Sequence, residues 1–120
     1  MKTLYLEIDA TPLKLTGDDA KRPVQELYGN VVKNVILGWA QQNRRDPRMQ
    51  GGLAADDRKK FYKICDLFDV AIKDKAKSIE LEDDISGFIK KCFREIVIQP
   101  DLLLRMVEET LMEDLNKDAH

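Results

Sequence analysis

The sequence predicts an α+β fold that is mostly α: four helices, a small N-terminal β-hairpin, and a candidate third short strand at residues 78–82. Three observations carry this. Apolar residues recur every three or four positions over residues 23–42, 56–76, 83–97 and 100–116, the spacing of a helix that buries one face. Residues 1–16 and 78–82 alternate with period two instead. Pro12, Gly17, Pro23, Pro47, Gly51, Gly52 and Pro100 punctuate most of the junctions between these stretches. At 120 residues the chain has the size of one domain, with material for one modest core.

The N-terminal segment "TLYLEI" places Leu4, Leu6 and Ile8 on one face and Tyr5 and Glu7 on the other. Leu13 and Leu15 repeat the spacing after "DATP", so a hairpin turning near Asp9–Pro12 is expected over residues 1–16. From Pro23 the period lengthens, and Val24, Leu27, Tyr28, Val31, Val32, Val35, Ile36 and Trp39 mark an amphipathic helix. Pro23 suits its first turn, where a missing N–H costs nothing. Gly29 and Gly38 lower helix propensity and suggest close packing against another element.

"NRRDPRMQGG" is a basic loop. In the second helix Asp56 or Asp57 is the expected cap, Phe61, Ile64, Cys65, Phe68, Ala71 and Ile72 form the stripe, and Lys73, Lys75 and Lys77 follow near its end. Next comes "SIELEDDISGFIKKC", with four carboxylates in five positions. Ile79 and Leu81 alternate with Glu80 and Glu82. Asp83 and Asp84 then fall in the first turn of a helix with Ile85, Phe88, Ile89, Cys92, Phe93 and Ile96 inward. Carboxylates there meet free N–H groups and the positive end of the helix dipole. A cation site wants oxygens converging from several elements, so these acids are read as a helix start and a solvated edge, and no metal is assigned. Pro100 and Asp101 open the last helix, whose stripe is Leu103, Leu104, Val107, Leu111 and Leu115, flanked by Met106 and Met112.

Composition narrows the function classes. Hydrophobic residues make up 43% and charged residues 35%, a soluble globular balance, and a net charge of −2 leaves no global field for nucleic acid or an anionic membrane. No apolar run approaches the roughly 20 residues of a membrane span. Glu7 and Asp9 interrupt any signal-peptide core, so the expected location is the cytoplasm, and no membrane partner is expected. Cys65 and Cys92 sit in apolar stretches and read as reduced, buried thiols.

Catalysis has little to draw on. His120, the only histidine, is terminal, with no packed shell to orient a general base or triad. Two cysteines and that histidine lack zinc-site spacing. No phosphate-binding glycine motif occurs. Glu108, Glu109, Glu113 and Asp114 faintly resemble the acids of all-α nucleotide pyrophosphohydrolases, but no matching ExxE stands on another helix, and they read as a solvated face. No catalytic residue, metal or cofactor is assigned.

Binding chemistry is better represented. Arg44, Arg45, Arg48, Arg58 and Lys59 make a basic middle. Residues 101–115 carry five acids against Arg105 alone, which phosphates would repel, so nucleic acid is disfavoured there. Such segregation suits docking with a complementary partner or with a second copy, a homodimer being one form. On the last helix Leu102, Met106 and Met112, with Glu109, are the candidate contact residues, since methionine adapts to interfaces.

The segment from Ile79, Glu80, Leu81, Glu82 and Asp84 through Ile85, Ile89, Lys90 and Lys91 to Pro100 resembles small accessory proteins encoded by tailed phages and prophages. There a "xVELTxEDxxxIKK"-like stretch precedes two closing helices; this chain has Glu82 where the pattern tends to have Thr. The resemblance covers mainly residues 78–111 and transfers no functional residues. It implies a phage-derived protein in a bacterial cytoplasm. The expected function is a non-enzymatic, protein-binding accessory factor acting by protein–protein contact or homo-oligomerisation. Alternatives are an inhibitor of a host defence system or host enzyme, a nucleic-acid-associated factor using residues 44–60, and a small metal-dependent hydrolase.

Overall fold

A computed structural model describes residues 1–9, 11–42 and 52–117, with only the backbone described at Asp19. The elements run β1 (Lys2–Tyr5), α1 (Val24–Gln42), α2 (Ala55–Asp74), β2 (Ser78–Leu81), α3 (Asp83–Glu95) and α4 (Leu102–Asn116), with 3-10 turns at Thr11–Leu13 and Gly17–Lys21. Four helices and one two-stranded antiparallel sheet form the predicted mostly-α α+β fold.

Among the described residues the hairpin expected over residues 1–16 does not form. β1 pairs with β2, Leu4 opposite Ile79 and Lys2 opposite Leu81. The segment at 78–82 is therefore the partner strand itself and not a third strand. Local geometry explains the error. The Asp9 carboxylate accepts the Thr11 N–H at 3.0 Å, and Thr11–Leu13 coils into a 3-10 turn around Pro12. Lys14 then takes a left-handed backbone with φ of 49°, which breaks the alternation of Leu13 and Leu15. The inward and outward assignments of β1 hold: Leu4 and Leu6 are buried, and Tyr5 and Glu7 are exposed.

The core gathers Tyr28, Val32, Ile36 and Trp39 from α1, Ile64 and Phe68 from α2, Ile85, Ile89 and Cys92 from α3, and Leu104, Val107 and Leu111 from α4. α1 and α3 each touch both α2 and α4, while α2 and α4 share no substantial contact. Gly29 is a close-packing point, because a Cβ there would meet Phe68 Cδ1 at 2.9 Å. Tyr28 stacks on that same Phe68 ring. At the far end of α1, Trp39 packs edge-on against Phe88, and Gln42 clasps the backbone N–H and C=O of Val97, both at 2.7 Å. That clasp fixes the linker into α4, where Asp101 caps the helix by accepting the Leu104 N–H at 2.7 Å. α2 has no such cap: Ala54 occupies its N-cap, and Asp56 and Asp57 lie in the first turn beyond it.

Asp114, expected on the solvated face of α4, is buried instead. Its Oδ2 accepts the Tyr5 N–H of β1 at 3.0 Å, and Lys117 Nζ lies 3.6 Å from its Oδ1. The residue thus closes the outer edge of β1 with an α4 side chain. Met112 and Leu103 pack against the core, while Leu102 is exposed and Met106 half-buried. Among the described residues no helix is long and apolar enough to cross a membrane.

Two glycines report the packing. Gly29→Ala is expected to destabilise the protein by about 1–3 kcal/mol through overpacking against Phe68, despite a better helix propensity. Gly87→Ala, on the exposed face of α3 with nothing within 4 Å, should stabilise it by about 0.5–1 kcal/mol. Urea denaturation of both variants checks the opposite signs. Asp114→Ala strands the Tyr5 N–H and should cost about 1–3 kcal/mol, whereas Asp114→Asn keeps an acceptor and should cost clearly less.

Candidate functional site

A concave surface that combines apolar lining with backbone groups unpaired among the described residues lies between α2 and β2. This cleft of about 470 Å³ is lined by Leu67, Val70 and Ala71 of α2, by Ser78, Ile79 and Glu80 of β2, and by Ile85 at its base. Val70 and Met1 stand 57% and 65% exposed beside it and extend its apolar lining.

Three contacts hold the cleft open. α2 ends with Lys75 in a left-handed conformation at φ of 54°, and Ala76 N–H reaches back to the Ala71 carbonyl at 2.9 Å. The Ala76 carbonyl accepts Gln25 Nε2 of α1 at 2.8 Å. The Lys77 carbonyl then accepts the Leu6 N–H at 2.8 Å, which starts the β1–β2 ladder. The turn between α2 and β2 is therefore pinned to α1 on one side and β1 on the other.

That last bond also sets which backbone groups remain free. Facing residues of an antiparallel pair alternate between bonded and non-bonded. With Leu6 and Lys77 bonded, Leu4–Ile79 and Lys2–Leu81 are the bonded pairs, while Tyr5–Ser78 and Thr3–Glu80 direct their N–H and C=O groups outward. On β1 the Tyr5 N–H goes to Asp114. On β2 the outward groups of Ser78 and Glu80 meet the cleft and have no partner among the described residues.

The rim is acidic. Glu82 shares its charge with Lys63 at 3.8 Å, but Asp66 and Glu80 have no cation partner among the described residues. Asp83 and Asp84 stand in the first turn of α3 as expected, with the Met1 amino group 3.4 Å from Asp83. Among the described residues no three of His, Cys, Asp and Glu cluster to hold a metal ion. Cys92 is fully buried, and burial pushes its thiol up to about 12, Asp57 adding to the shift; burial also raises the half-buried Cys65.

Among the described residues, the candidate contact residues fall on two helices, α2 and α4, that share no substantial contact. Arg44, Arg45 and Arg48 lie outside the described residues. Arg58 and Lys59 are exposed on the first turns of α2, a helix with five acids and five bases and so neutral overall. Their neighbour Lys60 is occupied over the Phe88 ring. Leu102, Met106, Glu109 and Met112 belong to α4, away from α2, and Glu109 is paired with Arg105 at 3.0 Å. Asp66, Leu67 and Val70, which line the cleft, are not among the residues that the sequence pattern singles out. The signal was present: Leu67 and Val70 widen the apolar arc of α2 beyond the stripe through Ile64 and Phe68.

No family model matches the sequence, and no curated protein or solved structure matches it.

The raised thiols give a direct check. In the folded protein at pH 8, Cys92 should resist an aromatic disulfide reagent and Cys65 should react slowly, with both reacting at once in denaturant. The buried, protonated Cys92 favours folding fully below pH ~9, the ordinary thiol value in the unfolded chain. That contribution is lost as pH rises from there toward the folded value of about 12. The urea midpoint should therefore fall between pH 8.5 and pH 10.5, and less so in Cys92→Ala relative to its own value at pH 8.5.

Proposed function

We propose that this protein is a non-enzymatic, protein-binding accessory factor of phage or prophage origin, and that the α2–β2 cleft is where it binds. One observation carries the reading: an apolar cleft bordered by a strand edge whose backbone donors and acceptors have no partner among the described residues. Backbone groups left open beside exposed Val70 are chemistry that another polypeptide satisfies, since it brings matching N–H and C=O groups together with apolar side chains. The phage origin rests on the resemblance of residues 78–111, a segment that includes β2 itself. The same resemblance supports a bacterial cytoplasm as the compartment.

Self-association is a second reading, favoured by a different surface. Val97, Ile98 and Leu102 stand 82%, 45% and 45% exposed along the linker into α4, a row of apolar side chains that a second copy would cover.

The two surfaces separate in one experiment. A photo-crosslinking residue is placed at Val70, at Leu102 or at Arg58, and the protein is irradiated in lysate of a bacterial host carrying the phage. The cleft reading expects a discrete protein adduct from position 70, suppressed by excess unlabelled protein. Adducts of doubled mass from position 102 alone would assign the function to self-association. A nuclease-sensitive adduct from position 58 would turn it toward nucleic acid.

A further inference from the structure

We infer that the outer edge of β2 accepts an extended segment of a partner protein as a third strand, and that this segment alternates apolar and basic residues. The inference rests on the reading that the cleft binds protein, and it names the partner's chemistry.

Each half of the inference has its own basis. The strand geometry follows from the ladder: Ser78 and Glu80 each aim one N–H and one C=O into the cleft, while Ile79 and Leu81 spend theirs on β1. An added strand about 4.8 Å away would meet that spacing of every second residue. The sequence preference follows from what flanks the edge. A strand seated there has two faces. One looks toward α2 and meets Leu67 and Val70, which calls for apolar side chains. The other lies beside the exposed Glu80 carboxylate, with Asp66 on the opposite rim, neither having a cation partner among the described residues. A cross-strand neighbour of opposite charge stabilises such a pair, so the second face is basic.

A second copy of this chain fits poorly. Two β2 edges facing each other would gather Glu80 and Glu82 of both strands within one small joint sheet, and like charges on neighbouring strands are destabilising. An acidic segment meets the same objection.

The test uses the full chain and fluorescein-labelled nine-residue peptides in fluorescence polarisation: KVRVKVRVK, its acidic counterpart EVEVEVEVE, and KSRSKSRSK without the apolar face. Only the first is expected to saturate. Its affinity should fall at least tenfold with Glu80→Lys, fall several-fold with Val70→Ser, and weaken between 50 and 500 mM salt. Both positions are exposed, and circular dichroism verifies that the variants fold. Hydrogen exchange by NMR supplies a readout that charge attraction alone would not give. On binding, the Ser78 and Glu80 amides become protected, while Ile79 and Leu81, already bonded to β1, change little.

Equal binding of the acidic peptide overturns the inference. So does binding of the basic peptide without protection at Ser78 and Glu80. Protection of those amides that grows with protein concentration alone would assign the edge to a second copy and also overturn it. If no peptide binds while position 70 still gives a protein adduct, this inference fails and the broader reading of the cleft stands. If neither occurs, both fail.

Discussion

A two-stranded ladder pairs only half of the backbone groups that its strands carry, and where the other half go governs much of this protein. β1 and β2 are drawn from opposite ends of a long stretch of chain, with α1 and α2 between them. Their pairing commits Leu4, Ile79 and Leu81 to the core. It also leaves two outer edges. The β1 edge is answered by Asp114, a buried carboxylate that accepts the Tyr5 N–H and so ties α4 to the sheet. A charged acceptor suits that position, because a buried N–H without a partner costs more than a typical hydrogen bond contributes. The β2 edge has no such answer, and the cleft exists because α2 stands beside it without covering it.

What keeps α2 at that distance is packing at its other face. Gly29 lets Phe68 approach the α1 backbone closely, and Tyr28 stacks on the same ring. This contact draws α2 toward α1. Meanwhile Gln25 holds the turn after α2 through the Ala76 carbonyl. With both its buried face and its C-terminus fixed, α2 presents Leu67 and Val70 sideways, toward β2, with no element to bury Val70. The cleft is thus a product of rigid neighbours. Rigid walls matter to a binding surface, because little ordering entropy remains to be lost on association.

Much of this fold was legible in the sequence, for reasons that differ by element. The helices were legible because each buries one face, so Val32, Ile36 and Trp39, or Ile85, Ile89 and Cys92, repeat at helical spacing. The position of Asp83 and Asp84 in the first turn of α3 was legible because a helix start is local chemistry. The hairpin was misread because Leu13 and Leu15 alternate like a strand, and only the left-handed Lys14 and the turn around Pro12 break that alternation. Strand pairing is long-range, and nothing in residues 1–16 announces that their partner is at 78–81. Asp114 was misread for the same reason: a carboxylate on an otherwise acidic helix looks solvated until the strand that needs it is in place. The cleft was half visible. The alternation of Ile79 and Leu81 fixed which side chains of β2 face inward, but which backbone edge stays open depends on the bond between Leu6 and Lys77, which no local pattern encodes.

The acidic residues bring these threads together. Exposed strand edges invite pairing with any passing strand, and charged side chains on or beside the edge are a common defence. Glu80 lies on this edge, Glu82 at its end and Asp66 across the cleft, so under the proposed reading these carboxylates act as a filter. A filter of one sign is also selective. It repels a second copy of the same edge and any acidic strand, and it lowers the cost of approach for a strand carrying lysine or arginine on its outer face. Protection against indiscriminate pairing and preference for one kind of partner are then a single electrostatic property, set by two carboxylates with no cation partner among the described residues.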